Sequence, residues 1–211
     1  MKVINPYIEI LTTEDYESML KRIELAGRTC YKSESNMDDS SAERFIRSIM
    51  NKNHESVLEH ASITVRVVCD RGVTHEIVRH RIASYSQEST RYCNYSKDKF
   101  GSEITVIKPC FLEGNSPMYK LWLETCKGCE KAYFEALNGG MTPQEARSML
   151  PNSLKTEIVM TLNVRSWRNF FELRNAKAAH PQMREVAEMI FKEFKERYPI
   201  FVYGICEGVD L

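Results

Sequence analysis

Residues 154 to 165 alternate without interruption, and no other feature constrains the fold as strongly. Leu154, Thr156, Ile158, Met160, Leu162 and Val164 share one face of an extended strand, while Lys155, Glu157, Val159, Thr161, Asn163 and Arg165 share the other. A strand with one apolar face belongs to a sheet covered on one side, and antiparallel sheets are the kind that leave the other side polar. The remaining elements must supply the cover.

Helical patterns are available for that purpose. Tyr16, Leu20, Ile23 and Gly27 recur at helical spacing, and Ser40 with Glu43 reads as a capping box ahead of Phe45, Ile46, Ile49 and Met50. Met118, Trp122, Thr125, Cys129, Ala132, Tyr133 and Ala136 form a stripe that Gly139-Gly140 ends. Thr142-Pro143-Gln144-Glu145 is a complete helix start, cut short by Pro151. Helices are expected over about 166–174 and 181–197, the second turning Met183, Val186, Ala187, Ile190, Phe191 and Phe194 inward. Ile63, Val65 and Val67 predict a strand that Gly72 breaks, and Ile104 to Lys108 another that Pro109 closes. A short helix is expected over 74–81, and 82–102 reads as irregular and polar. Helices and strands do not alternate regularly. The expected fold is α+β: a central, mostly antiparallel sheet with surrounding helices, in one domain over 1–211 with helical appendages.

Charge narrows the function. The chain of 211 residues has 29 Lys+Arg and 29 Asp+Glu, so it has no bulk attraction to nucleic acid or to an anionic membrane. Met1 to Leu20 contains Lys2, Glu9, Glu14, Asp15 and Glu17 and no apolar signal core, and no run reaches the length of a membrane span. The seven cysteines are expected to be reduced, cytoplasmic thiols. Cys126-Lys127-Gly128-Cys129 has redox or zinc spacing, but it falls mid-helix beside the apolar stripe, where packed thiols are the simpler reading. Pro109-Cys110 resembles the nucleophile of folate-dependent thymidylate synthases, yet Phe111 follows and nothing nearby would activate the thiol, so Cys110 is read as structural. His54 and His60 are six apart, unlike the two ligands of a zinc-binding HExxH helix. There is no Gly-rich phosphate loop, so a nucleotide would have to be held by side chains.

The densest chemistry runs from Arg79 to Tyr92, where three arginines and a histidine sit among hydroxyls and amides. Guanidinium forks suit phosphate and carboxylate, and Arg66 and Arg71 lie just upstream without matching acids. A solvated basic loop and an anion site both fit that composition. A single-strand-binding surface fits the interleaved Tyr85, Tyr92 and Tyr95, although the neutral total opposes it. A phosphate-transferring histidine at His80 is a third reading, weakened because Arg81 follows rather than glycine.

The order of four blocks resembles the flavin-dependent thymidylate synthases. They are His54-Glu55-Ser56-Val57-Leu58-Glu59-His60; Arg79-His80-Arg81 with Ser89; Arg147 with Leu150-Pro151; and Asn163-Val164-Arg165-Ser166 with Asn169 and Arg174. The resemblance implies reductive methylation of dUMP to dTMP with methylenetetrahydrofolate as carbon donor, NADPH as reductant and FAD as cofactor, in a homotetramer whose sites draw on several subunits. It implies flavin contacts at Ser56, Arg79, His80, Arg81, Gln87, Asn163, Arg165 and Asn169. It implies nucleotide contacts at Glu76, Arg79, Gln87, Ser89, Thr90, Arg91, Arg147 and Arg174, with Arg174 as the catalytic residue that binds the pyrimidine and helps ionise it at N3. No metal is implied. Where many relatives have Gln this chain has Glu76, and where they have Asn-Glu it has Ser86-Gln87. Ala178 stands where relatives often carry a flavin-stacking histidine, and His180 lies two residues on.

Overall fold

The computed structural model describes residues 1–97 and 101–205; Cys206 lies outside the described residues. The fold is α+β, as the mixture of periods predicts. Strands β2 (Tyr7–Ile10), β3 (Ser62–Asp70), β4 (Ala83–Gln87) and β6 (Lys155–Asn163) form one sheet in the order β2-β3-β6-β4. Strands β1 (Lys2–Ile4) and β5 (Thr105–Ile107) form a separate parallel pair. Contacts between β3 and β6 run in opposite senses: Val164 N donates to Ala61 O at 2.9 Å, and the Thr64 and Thr161 hydroxyls meet at 2.9 Å. That descending order is the antiparallel arrangement expected of a sheet with one dry face.

The chain's contacts gather into two compact units interleaved in sequence. One comprises Met1–Tyr7, Val67–Arg79 and Ser86–Val159; the other Ile8–Arg66, His80–Tyr85 and Met160–Leu211. The first is held by Tyr95, Ile104, Val106, Cys126, Tyr133, Ala146 and Leu154, which pack as one apolar cluster. Its long helix α4 (Pro117–Asn138) starts at Ser116, whose hydroxyl accepts from Tyr119 N, and ends at Gly139, with Gly140 at φ +94°. Only Cys126 and Tyr133 of α4 are fully buried, so the stripe is shallower than its spacing suggests, and Met118 is exposed. The expected capping box is present at Thr142 and Glu145, opening α5 (Pro143–Ala146). Helix α3 (Arg71–Ile77) starts earlier than the apolar spacing indicates, because the Asp70 carboxylate accepts from Val73 N and caps it directly at the end of β3.

The second unit is built on aromatic packing. Helix α1 (Tyr16–Tyr31), α2 (Ser41–Asn51), α6 (Val164–Arg174) and α7 (Pro181–Arg197) bury Met19, Ile23, Ile46, Trp167, Phe170, Phe171, Phe191 and Phe194. Trp167 stacks on Phe171 at 5.6 Å and donates its indole N–H to Ile63 O, so the ring's one polar group is satisfied. All six predicted inward residues of α7 are buried. The expected box at Ser40 does not form: the Ser40 hydroxyl donates to Asp38 Oδ1 at 2.8 Å, and that local bond competes with capping.

Candidate functional site

In the unit containing residues 86–159, the end of β4 and the turn after it carry the expected nucleotide residues. Segment 83–87, read as irregular, is strand β4: its residues are small or polar, so periodicity has little apolar contrast to report, yet Glu88 N donates to Glu157 O at 2.8 Å just beyond its end. Gln87 is half-buried, and its amide donates to the Thr74 hydroxyl at 2.9 Å and the Thr156 hydroxyl at 3.3 Å. Those two donations orient the Gln87 carbonyl oxygen, which is the acceptor end. The neighbouring Glu88 is fixed by Lys155 at 2.9 Å and by the Tyr95 hydroxyl at 3.0 Å. Burial alone would lower the Lys155 amine, but its bonds to Glu157 and Glu88 outweigh that and raise it. The Ser89 hydroxyl accepts from Arg91 N at 3.3 Å, and the Arg91 guanidinium lies over the Tyr92 ring. Glu76 is half-buried on α3, and Arg79 is exposed just beyond it.

Thr90 and Arg147 line a cavity of about 690 Å³ in this unit, together with Arg71, His75 and Gln144. Its lining contains two guanidiniums, one imidazole, hydroxyls and amides, and no carboxylate. A pocket of that volume and donor content suits a nucleotide-sized anion. Arg71 Nη1 is buried without a hydrogen-bond partner, an atom with donor capacity to spare. Arg71, His75 and Gln144 are absent from the sequence-derived site, although the unmatched charge of Arg71 is a signal for it. Arg66, which gives the same signal, has a partner after all: Glu9 on β2 lies 3.4 Å away.

In the other unit, a second cavity of about 450 Å³ is lined by Ser56, His54, Asn53 and Arg165, with Ile49 and Val57 among its apolar walls. Ser56 is presented by the 3-10 turn Glu55–His60. Arg168 secures that turn by donating to Glu55 at 3.1 Å and to the carbonyls of Phe201 and Tyr203. Arg165 pairs with Glu59 at 2.7 Å, and both groups remain largely exposed. Asn163 caps α6 by accepting from Ser166 N at 2.8 Å, a structural duty that sequence spacing did not reveal. Asn169 and Arg81 are exposed.

Arg174 ends α6, half-buried, and donates its Nε–H to His80 Nε2 at 2.8 Å. His80 is only 6% exposed and packs edge-on against Phe170. Burial, with the Arg174 charge adding to it, pushes the imidazole down to about 4, so it is neutral at ordinary pH. Burial pushes the Cys126 thiol up to about 11, and Cys110 is exposed and lines neither cavity. Among the described residues, no three His, Cys, Asp or Glu side chains are grouped to hold a metal ion, and no helix is long and apolar enough to cross a membrane.

The family model described as thymidylate synthase complementing protein matches residues 12–200. The chain belongs to the flavin-dependent thymidylate synthase family. It is 34% identical to the flavin-dependent thymidylate synthase of Pyrococcus furiosus over 81% of this chain and 70% of that one. It is 36% identical to that of Pyrococcus abyssi over 77% of this chain, spanning 65% of the relative's length. With the flavin-dependent thymidylate synthase of a Mycobacterium species (strain KMS) it shares 32% identity, covering 93% of this chain and 86% of the other. The fold also matches the crystal structure of a UMP/dUMP methylase, PolB from Streptomyces cacaoi, bound with 5-Br dUMP. That likeness has a TM-score of 0.77 at 23% identity and covers 95% of both chains.

The residues present fit the flavin that the family name requires. The cavity at Ser56 combines a guanidinium, a hydroxyl and an amide, which suit phosphate oxygens, with aliphatic walls that suit a ring; its one carboxylate, Glu55, is paired with Arg168 at 3.1 Å.

Proposed function

We propose that the chain converts dUMP to dTMP, with methylenetetrahydrofolate as carbon donor, NADPH as reductant and FAD as cofactor. The observation that carries this reading is the carboxylate-free cavity at Arg71, His75, Thr90 and Arg147, in a chain of this family. Its charge and size suit a nucleoside monophosphate. Arg147, Arg91 and Arg71 would hold the phosphate, Ser89 and Thr90 would position it as neutral donors, and Gln87 would offer its oriented carbonyl to a sugar hydroxyl. Glu76 and Arg79 complete the nucleotide set.

Arg174 is assigned to the pyrimidine. A guanidinium held beside the ring stabilises the negative charge left when N3 loses its proton, and fixed charge of this kind lowers the barrier without a covalent protein nucleophile. Ser89 therefore positions substrate and does not attack it. Ser56, Arg165, Asn163 and Asn169, with Arg79, His80, Arg81 and Gln87, are assigned to the flavin. Bound FAD supplies the hydride chemistry that no side chain can perform. We assign the chain to a single catalytic domain over 1–211, to the cytoplasm and to a homotetramer in which subunits complete one another's sites.

The test joins colour to turnover. The purified protein should show oxidised-flavin absorbance, have the solution mass of four chains, and release tritium from 5-tritiated dUMP when folate donor and NADPH are supplied. Protein that takes up no added FAD and releases no tritium would refute the assignment.

A further inference from the structure

We propose that His80 is the positioning residue for Arg174, holding the guanidinium in the orientation that the pyrimidine requires. This rests on the reading of Arg174 given above, and it gives His80 a role that acts through another side chain. The geometry is specific. Arg174 donates Nε–H to His80 Nε2 at 2.8 Å. A ring nitrogen that accepts carries no proton, so the neutral imidazole has its proton on Nδ1.

The ring is itself fixed. Phe170 meets it edge-on at 4.9 Å and 61°, and Phe170 is fully buried against Trp167 and Phe171. The His80 carbonyl accepts from the Tyr85 hydroxyl at 2.8 Å, which ties down the backbone. The aromatic core thus sets the imidazole, the imidazole sets Nε of Arg174, and the planar guanidinium carries its two amino groups in a fixed direction. Chemistry explains why an imidazole is used. A carboxylate in the same place would orient the arginine but also cancel its charge and compete with the substrate for it. A neutral nitrogen orients the guanidinium without itself cancelling the charge. The low affinity of His80 for protons, set by burial and by Arg174 itself, keeps that acceptor available.

The experiment compares His80→Leu, His80→Gln, Arg174→Ala and the double variant His80→Leu/Arg174→Ala as flavin-loaded proteins. Gln places an acceptor oxygen near the Nε2 position; Leu fills space without one. In His80→Leu, kcat should fall about 100-fold, the scale of a misplaced catalytic group. Because His80 is also assigned to the flavin, kcat is expressed per bound flavin; the fall should persist on that basis, and dUMP affinity should change by less than about 5-fold. His80→Gln should recover about 10-fold of the loss, and the double variant should be no slower than Arg174→Ala. Additive losses, a His80→Gln no better than His80→Leu, or a kcat loss that disappears when expressed per bound flavin would overturn the proposal. So would nitrogen NMR of the resting wild-type protein at neutral pH showing His80 protonated at Nε2, a readout that needs no variant to fold. Wild-type protein without tritium release would instead sink the assigned reaction, so the two failures are distinguishable.

Discussion

His80 enters the folded chain in a place where it can hardly accept a proton, and folding stability must therefore depend on pH through it. The sign follows from the two states. The imidazole's ordinary value is 6.5, and the folded chain pushes it down to about 4. Above the ordinary value both states are neutral at this residue, and the full stability is present. As pH falls through that value the unfolded chain binds a proton that the folded chain refuses, so stability is lost until the folded value is reached. Linkage gives a loss of about 2 kcal/mol between about pH 8 and about pH 5, and about 3 kcal/mol by about pH 4.

His80→Gln isolates this term, because glutamine does not titrate and every other acid-sensitive group is common to both proteins. Asp15 and Asp38, lowered by their bonds to neighbouring backbone N–H groups, and Glu145, lowered by Thr142, cancel in the comparison. The chain has two tryptophans, and a Trp122→Phe background leaves Trp167, packed on Phe170, as the reporter next to His80. Urea unfolding followed by its fluorescence should show the stability gap between the His80 protein and its His80→Gln variant closing or reversing by about 2 kcal/mol on acidification to about pH 5. A gap that stays flat to within about 0.5 kcal/mol across that range would refute the claim that the buried imidazole excludes a proton.

Arg174→Ala should reduce turnover by about 10²- to 10³-fold, as loss of a charge-stabilising donor does, while flavin absorbance is retained; equal loss of both would contradict its role. Cys110→Ser should keep activity within about 2-fold, because the thiol is exposed and lines neither cavity; abolition in a folded protein would reopen a cysteine nucleophile. Phe171→Ala removes a fully buried ring that contacts Trp167, Phe191 and Phe194, and should cost about 3–5 kcal/mol by chemical denaturation. Arg165→Gln should weaken FAD binding, measured by titration of apoprotein, with stability changed by less than about 1 kcal/mol, since its pair with Glu59 is exposed.

What can be read from the sequence divides along physical lines. β6 and α7 are legible because large apolar residues recur at the periods 2.0 and 3.6, and burial follows that pattern closely. β4 is not, because Ala83, Ser84, Tyr85, Ser86 and Gln87 provide little apolar contrast, and pairing rather than burial makes them a strand. Ser40 has the right residue type for a cap, but the choice between capping and bonding Asp38 is a competition that spacing cannot decide. The arginine clusters are legible as chemistry. Their partners are not: Arg174 and His80 are 94 residues apart in sequence, and Glu59 reaches Arg165 across 106.

The polar face of β6, which first announced a sheet open on one side, is divided between two duties. Lys155 and Glu157 bond to each other along the strand, Lys155 also reaches Glu88, and Thr161 meets Thr64, so these polar side chains are engaged with protein neighbours. Only at the strand's end does the pattern change. Asn163 leaves the sheet to cap α6, and Arg165 sits in the first helical turn, where the helix dipole disfavours a cation. Arg174 sits in the last turn of the same helix, where the dipole favours one. An arginine placed against the dipole, exposed and, among the described residues, paired with an exposed Glu59, is poorly explained by stability and well explained by an anionic ligand. The same helix therefore carries one arginine at an electrostatic cost and one at a gain, and the neutral total of the chain hides both.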